Sequence, residues 1–328
     1  MEGVKIKKIA VLTSGGDAPG MNAAVRAVVR TALYHGIKVV GVRRGYEGLL
    51  REEMPDVVDL NARSVSDTMQ RGGTILLTAR CMEMMTPEGQ DKAAQRCKDL
   101  GFDALIVIGG DGSLNGGLQL VRRGVNIIGI PGTIDLDLKC TDYTIGFDTA
   151  VSTGMDAISK LRDTSSSHER CSVVEVMGRG AGYIALWCGL TGGAEEVLIP
   201  EEAAADTKAV IEQIRKNRLS GKTHNLVVVA EGIGGTIELA KQIEAETSIE
   251  TRATILGHLQ RGGSPTAVDR MHASVMGYMA VDILTRGYRN RVVVSKNGGH
   301  DHLDLEEALA VERPYDPYIY NVLKILSV

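Results

Sequence analysis

Short apolar runs recur along the chain and are separated by more polar, amphipathic stretches. The apolar runs are continuous rather than alternating, which is typical of β-strands that are covered on both faces. They read KIAVLTS, IKVVGVR, ALIVIGG, VNIIGIP, CSVVEVM, EEVLIP, NLVVVAE and RVVVSKN. We therefore predict a strand at each of these runs.

The stretches between the runs show helical periodicity. They read MNAAVRAVVRTALYHG, DKAAQRCKDLG, AVSTGMDAISKLRD, DTKAVIEQIRKNRLSG, TIELAKQIEAET and AVDRMHASVMGYMAVDILTRG. Several end at a glycine, as a left-handed helix cap prefers: Gly36, Gly101, Gly221 and Gly287. Alternating strands and helices predict the α/β class, with mostly parallel, doubly wound sheets wrapped by helices.

Composition narrows the class of protein further. A chain of 328 residues favours two domains, and a net charge of −4 provides no field that attracts nucleic acid or an anionic membrane. Five cysteines without a CxxC pair indicate reduced thiols in a cytoplasm. No run approaches about 18 apolar residues, and the N-terminal run is too short for a signal peptide, so we expect no membrane span.

Glycines and charged residues follow the predicted strands. In parallel sheets, ligands bind at the carboxyl ends of the strands, in the loops that come next. Those loops read SGGDAPG, GGDGS, PGTIDLD, MGRGAG and AEG. We therefore look for the functional residues in these five loops.

The loops SGGDAPG and GGDGS each stand between a strand and a helix. Glycines there let backbone N–H groups close around phosphate oxygens, with a helix N-terminus adding a favourable dipole. Neither is a P-loop or a GxGxxG motif, and one such loop alone could equally be a tight turn. Asp111 within GGDGS would repel phosphate unless Mg²⁺ lies between them; capping of the next helix is the alternative.

Two carboxylates, Asp135 and Asp137, come directly after the strand VNIIGI. Phosphoryl transfer needs a group that takes the acceptor's proton and a means of neutralising charge. One carboxylate can act as the base, the other can position that base or help to hold Mg²⁺, and Thr133 offers a hydroxyl to the phosphoryl group. A glycosidase pair would instead come from separate elements.

Arginines complete the set of candidate phosphate ligands, because the guanidinium group grips phosphate bidentately. They are Arg80, Arg170, Arg179, Arg252 and Arg261. Taken singly, each is more often a surface charge, but Arg179 and Arg261 stand in glycine-flanked loops. His258 precedes Arg261 by three residues and shares its loop.

Taken in order, these motifs resemble the bacterial glycolytic phosphofructokinases, which transfer the γ-phosphoryl of ATP to fructose 6-phosphate. GGDG alone is weak, since NAD kinases and diacylglycerol kinases share something like it. The specific combination is TSGGDAPGMNA, IGGDGS, PGTID, RDTSSSHER, VVEVMGR, AEG, LGHLQRGGSP and DR. The resemblance covers nearly the whole chain.

The resemblance implies a role for individual residues. ATP would be contacted by Gly16, Tyr46, Arg80, Cys81, Gly110, Asp111, Gly112 and Ser113, with Asp111 holding Mg²⁺. Asp135 would be the catalytic base. Thr133, Asp137, Met177, Gly178, Arg179, Glu231, His258 and Arg261 would line the sugar phosphate site.

The resemblance also implies an assembly and a domain division. Arg170 and Arg252 would reach the site of a neighbouring subunit in a homotetramer. The larger, ATP-binding domain would comprise residues 1–146 with 259–312. The smaller, sugar-phosphate-binding domain would comprise residues 147–258 with 313–328.

An effector site between subunits is a further implication, and it is incomplete here. Its matching residues are Arg26, Arg30, Arg162, Glu195 and Lys222. Ala62, Ser220 and Thr223 stand where the family often has cations, although Arg63 is adjacent. We expect a weak or absent response to ADP and phosphoenolpyruvate.

The catalytic loop departs from the family pattern as well. Leu136 replaces the usual Asn of TIDND, and Cys140 replaces a Gly. Since alternate residues of an extended segment face opposite ways, we expect Leu136 to face away from the two Asp side chains. The stretch MEMMTPEG after Cys81 lacks the usual Pro-Glu-Phe, which puts one ATP contact in doubt.

Three other functions compete with this one. Pyrophosphate-dependent phosphofructokinases usually carry Asp in place of Gly112 and Lys in place of Gly132; both are Gly here. A catalytically weak regulatory paralogue is suggested by Leu136, but Asp111, Asp135 and Asp137 are all retained. A nicotinamide oxidoreductase is disfavoured, since no GxGxxG follows a strand.

Overall fold

The structure is a computed structural model that describes residues 6–202 and 207–327. The strands are β1 (Lys8–Ser14), β2 (Lys38–Val42), β3 (Val57–Leu60), β4 (Ala104–Gly109), β5 (Ile127–Pro131), β6 (Cys171–Val176), β7 (Glu196–Leu198), β8 (Asn225–Ala230), β9 (Thr251–Ile255), β10 (Arg291–Lys296) and β11 (Gly299–Asp304). Each apolar run predicted as a strand forms one, because its residues are buried on both faces of a sheet.

Helices connect nearly all of these strands. They are α1 (Met21–Tyr34), α2 (Gly45–Leu50), α3 (Pro87–Asp99), α4 (Asp111–Val121), α5 (Phe147–His168), α6 (Tyr183–Gly192), α7 (Thr207–Leu219), α8 (Thr236–Thr247), α9 (Ala267–Thr285), α10 (Leu305–Leu309) and α11 (Tyr318–Leu326). None of the helices in the described ranges is both long and apolar enough to cross a membrane.

The chain divides into two compact units. The first comprises residues 1–134, 138–149 and 261–313, and the second comprises 135–137, 150–260 and 314–328. The short segment Asp135–Asp137 therefore belongs to the second unit, although the strand before it belongs to the first. That the first unit binds nucleotide and the second binds sugar phosphate stays a prediction.

The first unit is built on a seven-stranded sheet in the order β11-β10-β5-β4-β1-β2-β3. The five central strands are parallel, and the edge strands β3 and β11 are antiparallel to their neighbours. Apolar side chains of β4 and the helices beside it form a core, with Leu105 and Leu114 fully buried. On another side, α1 and α9 approach so closely that a Cβ on Gly277 would lie 2.5 Å from the Ala24 carbonyl oxygen.

The second unit has a four-stranded parallel sheet in the order β7-β8-β6-β9. Its core joins β6 and β8 to the apolar faces of α7 and α8, where Val227, Ile214 and Ile243 are fully buried. The predicted α/β class, with mostly parallel sheets wrapped by helices, is confirmed.

A fully buried carboxylate, Asp269 of α9, holds the start of α5. It accepts hydrogen bonds from the backbone N–H groups of Gly146 (2.6 Å) and Thr149 (2.8 Å). The hydroxyl of Tyr143 donates to the same carboxylate at 2.5 Å. A negative group at a helix N-terminus accepts hydrogen bonds from amides that have no intrahelical partner. It also interacts favourably with the positive end of the helix dipole.

Candidate functional site

Three of the predicted loops meet at one edge of the first unit's sheet. β5, β4 and β1 are parallel neighbours, and the ends of the three strands are in register: Ser14 pairs with Gly109, and Gly109 pairs with Pro131. The loops SGGDAPG, GGDGS and PGTID therefore begin side by side. This places Gly16, Asp111 and Thr133 on neighbouring loops of one unit.

The glycines of GGDGS allow these loops to approach very closely. A Cβ on Gly109 would lie 2.6 Å from the Ser14 carbonyl oxygen, which no real side chain tolerates. A Cβ on Gly110 would lie 3.3 Å from the Thr133 Cβ. The glycines are thus needed by the packing of the loops, and they also expose backbone N–H groups at the start of α4.

Tyr46 lies beneath this loop. Its ring is buried, and its hydroxyl donates to the Ser113 carbonyl oxygen at 2.8 Å. Burial raises the pKa of the Tyr46 phenol far above its ordinary value, so the hydroxyl remains a donor. A Cβ on Gly116 would lie 3.0 Å from the Tyr46 ring, so ring and helix fit closely. Tyr46 supports the first turn of α4.

Asp111 is the first residue of α4 and is exposed. One of its carboxylate oxygens accepts from the Asn115 side-chain amide at 3.0 Å. Arg80 is also exposed, and burial raises the pKa of the neighbouring Cys81 thiol. Cys81 therefore presents a neutral side chain. All five cysteines are free thiols.

Arg261 lies against the first of the three loops. One of its guanidinium nitrogens donates to the Asp17 carbonyl oxygen at 3.2 Å. A Cβ on Gly16 would lie 2.4 Å from that nitrogen, so the end of the flexible Arg261 side chain occupies the space next to Gly16. Sequence alone gave no indication that these two residues are packed together.

The two glycines that bear on pyrophosphate use have different surroundings. At Gly112, the second residue of α4, a Cβ would meet nothing within 4 Å. At Gly132, a Cβ would lie 3.1 Å from both the Ile108 and the Met21 side chains. Position 112 is therefore open to a larger residue, whereas a lysine at 132 requires its neighbours to move.

In the second unit, the loop after β6 carries three of the predicted sugar phosphate residues. Met177 and Gly178 are buried and Arg179 is exposed. Gly178 has φ of +144° and Arg179 has φ of +57°. A carboxylate oxygen of Glu231 accepts from the backbone N–H groups of Gly178 (3.2 Å) and Arg179 (2.6 Å). Glu231 thus stabilises the unusual backbone that presents the Arg179 side chain.

His258 lies in the same unit, exposed on the short 3-10 turn Gly257–Arg261. The predicted catalytic residue Asp135 is 6% exposed, and Asp137 is half-buried. Leu136 between them has φ of +54°, in the left-handed region. The expectation of an extended segment with alternating side chains is therefore wrong at this position. The Asn usual in the family suits that backbone better than Leu does.

Arg170 and Arg252 lie together at the other end of the second unit's sheet. Arg170 precedes β6, Arg252 stands near the start of the parallel strand β9, and both form salt bridges with Glu250. The hydrogen bond from Arg170 is the main cause that lowers the pKa of Glu250. At about 3.3 Å per residue, β6 separates this pair from Met177 by roughly 20 Å. The two arginines do not share a site with Arg179 within one chain.

The predicted effector residues fall into two groups. Arg26 and Arg30 are one turn apart on α1, and partial burial together with the Arg30 charge lowers the pKa of Arg26. In the second unit, Lys222 forms a 2.7 Å salt bridge with the buried Glu195, and Arg162 donates to the Gly192 carbonyl oxygen. Glu195 and Lys222 therefore neutralise each other.

Across the described residues, no group of three or more His, Cys, Asp or Glu side chains is arranged to hold a metal ion. Any divalent cation at the GGDGS loop would need ligands other than a cluster of protein side chains. Phosphate oxygens of a bound substrate are the usual complement for Mg²⁺.

Two named relatives cover nearly the whole chain. The ATP-dependent 6-phosphofructokinase of Clostridium botulinum is 58% identical over 98% of this chain and 100% of its own length. That of Clostridium acetobutylicum is 56% identical, again over 98% of this chain and 100% of its own length.

Solved structures agree with this relationship. The phosphofructokinase of Saccharomyces cerevisiae superposes with a TM-score of 0.86 at 35% identity over 98% of this chain, which spans 48% of that yeast chain. A pyrophosphate-dependent phosphofructokinase from Marinobacter aquaeolei shares the fold, with a TM-score of 0.84 at 22% identity over 95% of this chain and 86% of its own. A family model described as Phosphofructokinase matches residues 8–284. The chain belongs to the phosphofructokinase family.

Proposed function

We infer that the chain is a glycolytic kinase, which transfers the γ-phosphoryl of ATP to the 1-hydroxyl of fructose 6-phosphate. The products are fructose 1,6-bisphosphate and ADP. The observation that carries this inference is the 58% identity, over the full length of the relative, to a protein named ATP-dependent 6-phosphofructokinase. The retention of Asp111, Asp135 and Asp137 supports an active enzyme rather than a regulatory paralogue.

Two glycines favour ATP over pyrophosphate as the phosphoryl donor. The resemblance associates pyrophosphate use with Asp at position 112 and Lys at position 132, and the chain has Gly at both. Gly112 leaves open space at the start of α4, where a nucleotide needs room. Gly132 is packed against Ile108 and Met21, so the site is built around a small residue there.

The residues of the GGDGS loop fit a magnesium ion bound together with ATP. Mg²⁺ is typically held by one or two carboxylates, by waters and by substrate phosphates rather than by a protein cage. Asp111 provides one exposed carboxylate beside the amides that start α4. When bound, Mg²⁺ neutralises the charge that spreads over the phosphate oxygens during transfer.

The remaining steps belong to the chain's own side chains. Asp135 accepts the proton of the 1-hydroxyl as the oxygen forms its bond to the γ-phosphorus, while the bond from that phosphorus to the oxygen of ADP breaks. Asp137 positions this base, Thr133 offers its hydroxyl to the moving phosphoryl group, and Arg179 offsets its charge.

The placement of Arg170 and Arg252 favours an oligomer with shared sites. Both lie roughly 20 Å of strand away from Arg179, so within one chain they cannot grip the same phosphate. Their joint salt bridge to Glu250 presents two guanidinium groups on one surface. In a homotetramer, that surface completes the sugar phosphate site of a neighbouring subunit. With five free thiols, the assembly suits a reducing cytoplasm.

A coupled assay on fructose 6-phosphate with Mg²⁺ tests the function directly. We expect turnover with ATP and none above background with pyrophosphate. Turnover with pyrophosphate alone would instead support the pyrophosphate-dependent reaction, and turnover with neither donor would support the regulatory paralogue.

A further inference from the structure

The side chain of Gln260 is fully buried in the second unit and both ends of its amide are used. Its carbonyl oxygen accepts from the Met177 backbone N–H at 2.8 Å. Its amide nitrogen donates to the Ala150 carbonyl oxygen at 3.1 Å, in the first turn of α5. Gln260 thus ties the start of the loop after β6 to the first turn of α5.

The loop that Gln260 holds has its amides occupied by the protein itself. The N–H of Met177 bonds to Gln260, and those of Gly178 and Arg179 bond to Glu231. Farther along, a carboxylate of Glu201 accepts from the Gly182 N–H at the start of α6. Because side-chain oxygens of the protein already bind these amides, a phosphate group at this loop is bound through side chains, above all Arg179.

The direction of the Arg179 side chain depends on how the loop backbone is held. Gly178 and Arg179 both have positive φ, which for a non-glycine residue persists only where surrounding contacts enforce it. Gln260 fixes the residue that enters this turn, and Glu231 fixes the next two. A loop released at Met177 would carry the Arg179 guanidinium away from its bound position.

A neutral amide meets both contacts of this buried position, whereas an ionised carboxylate does not. Met177 presents a donor and Ala150 presents an acceptor, and a glutamine side chain carries the complement of each. A carboxylate would face the Ala150 carbonyl oxygen with a second acceptor, and an apolar side chain would satisfy neither group. A Cβ on Gly154 would lie 2.7 Å from the Cys188 sulfur and at ordinary contact distance, 3.4 Å, from the Gln260 amide nitrogen, so the side chain lies in a closely packed region.

We propose that Gln260 is a positioning residue for phosphoryl transfer, which holds the Met177–Arg179 loop so that the Arg179 side chain meets the sugar phosphate. The proposal rests on the function inferred above. Gln260 does not touch the substrate, so its effect passes entirely through the loop. Its loss should weaken the handling of fructose 6-phosphate and leave the handling of ATP nearly unchanged.

The test compares the wild type with the variants Gln260→Met and Gln260→Glu and with the control Gln242→Met. Each protein is used in its native assembly. Gln242 is an exposed glutamine of the same unit that bonds to Glu246 within α8. Since a misplacement of about 1 Å can cost 10²-fold, we expect Gln260→Met to lower kcat/KM for fructose 6-phosphate by roughly 10- to 100-fold. The KM for ATP should stay within about twofold, and Gln242→Met should match the wild type.

Gln260→Glu adds a signature that a general loss of structure would not produce. Burial raises the pKa of a carboxyl group, and the protonated form can again donate to the Ala150 carbonyl oxygen. The ratio of its kcat/KM for fructose 6-phosphate to that of the wild type should therefore rise by about fivefold or more from pH 8.5 to pH 6. The same ratio for Gln260→Met should be flat.

Amide hydrogen exchange in residues 171–182 keeps the two proposals separate. Faster exchange of this segment in Gln260→Met than in Gln242→Met is expected whatever reaction the wild type catalyses. If the wild type fails to phosphorylate fructose 6-phosphate, the proposed function is wrong. The exchange data would still decide whether Gln260 holds the Met177–Arg179 loop. Unchanged exchange, activity within twofold of the wild type, or equal losses in both KM values would overturn the role of Gln260.

Discussion

Gly112→Asp separates the two possible phosphoryl donors with a single substitution. The position accepts a side chain, because its Cβ would meet nothing within 4 Å and its φ is not positive. Asp at the second residue of α4 also suits the helix dipole, which is worth about 0.3–1 kcal/mol. Folding should therefore be unharmed or slightly improved, so that any loss of ATP use reflects the new charge.

The size of that loss follows from electrostatics at the GGDGS loop. A carboxylate about 5 Å from a bound phosphate interacts with each negative charge by about 0.8 kcal/mol in water and about 3 kcal/mol at an effective dielectric constant of 20. Because Gly112 is exposed, the real value lies between these limits. At about 1.4 kcal/mol per tenfold, we expect kcat/KM for ATP to fall by roughly 4- to 140-fold.

Steady-state kinetics with ATP and fructose 6-phosphate varied in turn provide the measurement. Gly112→Asn is the matched control, since it has the same size without the charge, and it should lose less than about threefold. Thermal melts should show that neither variant is less stable than the wild type. Equal losses of kcat/KM for ATP in Gly112→Asn and Gly112→Asp would show that the size of the side chain, and not its charge, causes the effect. Full ATP activity in Gly112→Asp would refute the placement of nucleotide phosphates at this loop.

Four further predictions concern the catalytic base, the shared sites, the pH dependence of stability and the effector response. Asp135→Ser should lower kcat by about 10²- to 10⁴-fold with little change in either KM, and a variant that keeps most of its kcat would remove Asp135 as the base. Mixing Arg252→Ser with Asp135→Ser protein should regenerate some intact sites after subunit exchange; hetero-oligomers without recovered activity would assign each site to one chain. The ring nitrogens of His272 and His300 lie 3.0 Å apart, and burial lowers the pKa of both side chains in the folded state. Below about pH 6.5, the unfolded chain therefore binds more protons than the folded one. The free energy of unfolding should fall as the pH decreases through that range. His300→Gln should flatten this slope in urea melts between pH 7.5 and 5, and an unchanged slope would contradict the assignment. The saturation curve for fructose 6-phosphate should stay nearly hyperbolic with or without millimolar phosphoenolpyruvate or ADP, whereas a strong sigmoidal shift by phosphoenolpyruvate, reversed by ADP, would show a working effector site.

The buried strands, including the edge strand β7, could be predicted from the sequence, and the exposed edge strands could not. Runs such as ALIVIGG are buried on both faces, so their apolar character is continuous. β3, β9 and β11 lie at sheet edges and are largely exposed, so their sequences carry no such run. The signal that identifies a strand in this fold is burial, and these three edge strands lack it.

Leu136 shows where local sequence rules fail at the site. Alternation predicted an extended residue whose side chain turns away from the two carboxylates. The backbone instead adopts φ of +54°, a conformation that costs an ordinary residue about 1–2 kcal/mol and that Asn adopts more readily. A local preference was overridden by the demands of the surrounding loop, as is common at functional sites.

Three residues to which the sequence analysis assigned no role have a common physical one. Glu250, Gln260 and Asp269 each bind a group that is distant along the chain: Arg170, a loop amide and a carbonyl, or the start of a helix. In a sequence, such residues look like ordinary polar surface positions, because nothing local distinguishes a buried amide from an exposed one. Glycines and paired carboxylates after strands can be recognised, since their chemistry is tied to position within a loop. The polar residues that hold those loops in place become visible only when burial and hydrogen-bond partners are known, and for that reason the fully buried Gln260 is the stronger candidate for mutation than exposed neighbours such as Leu259.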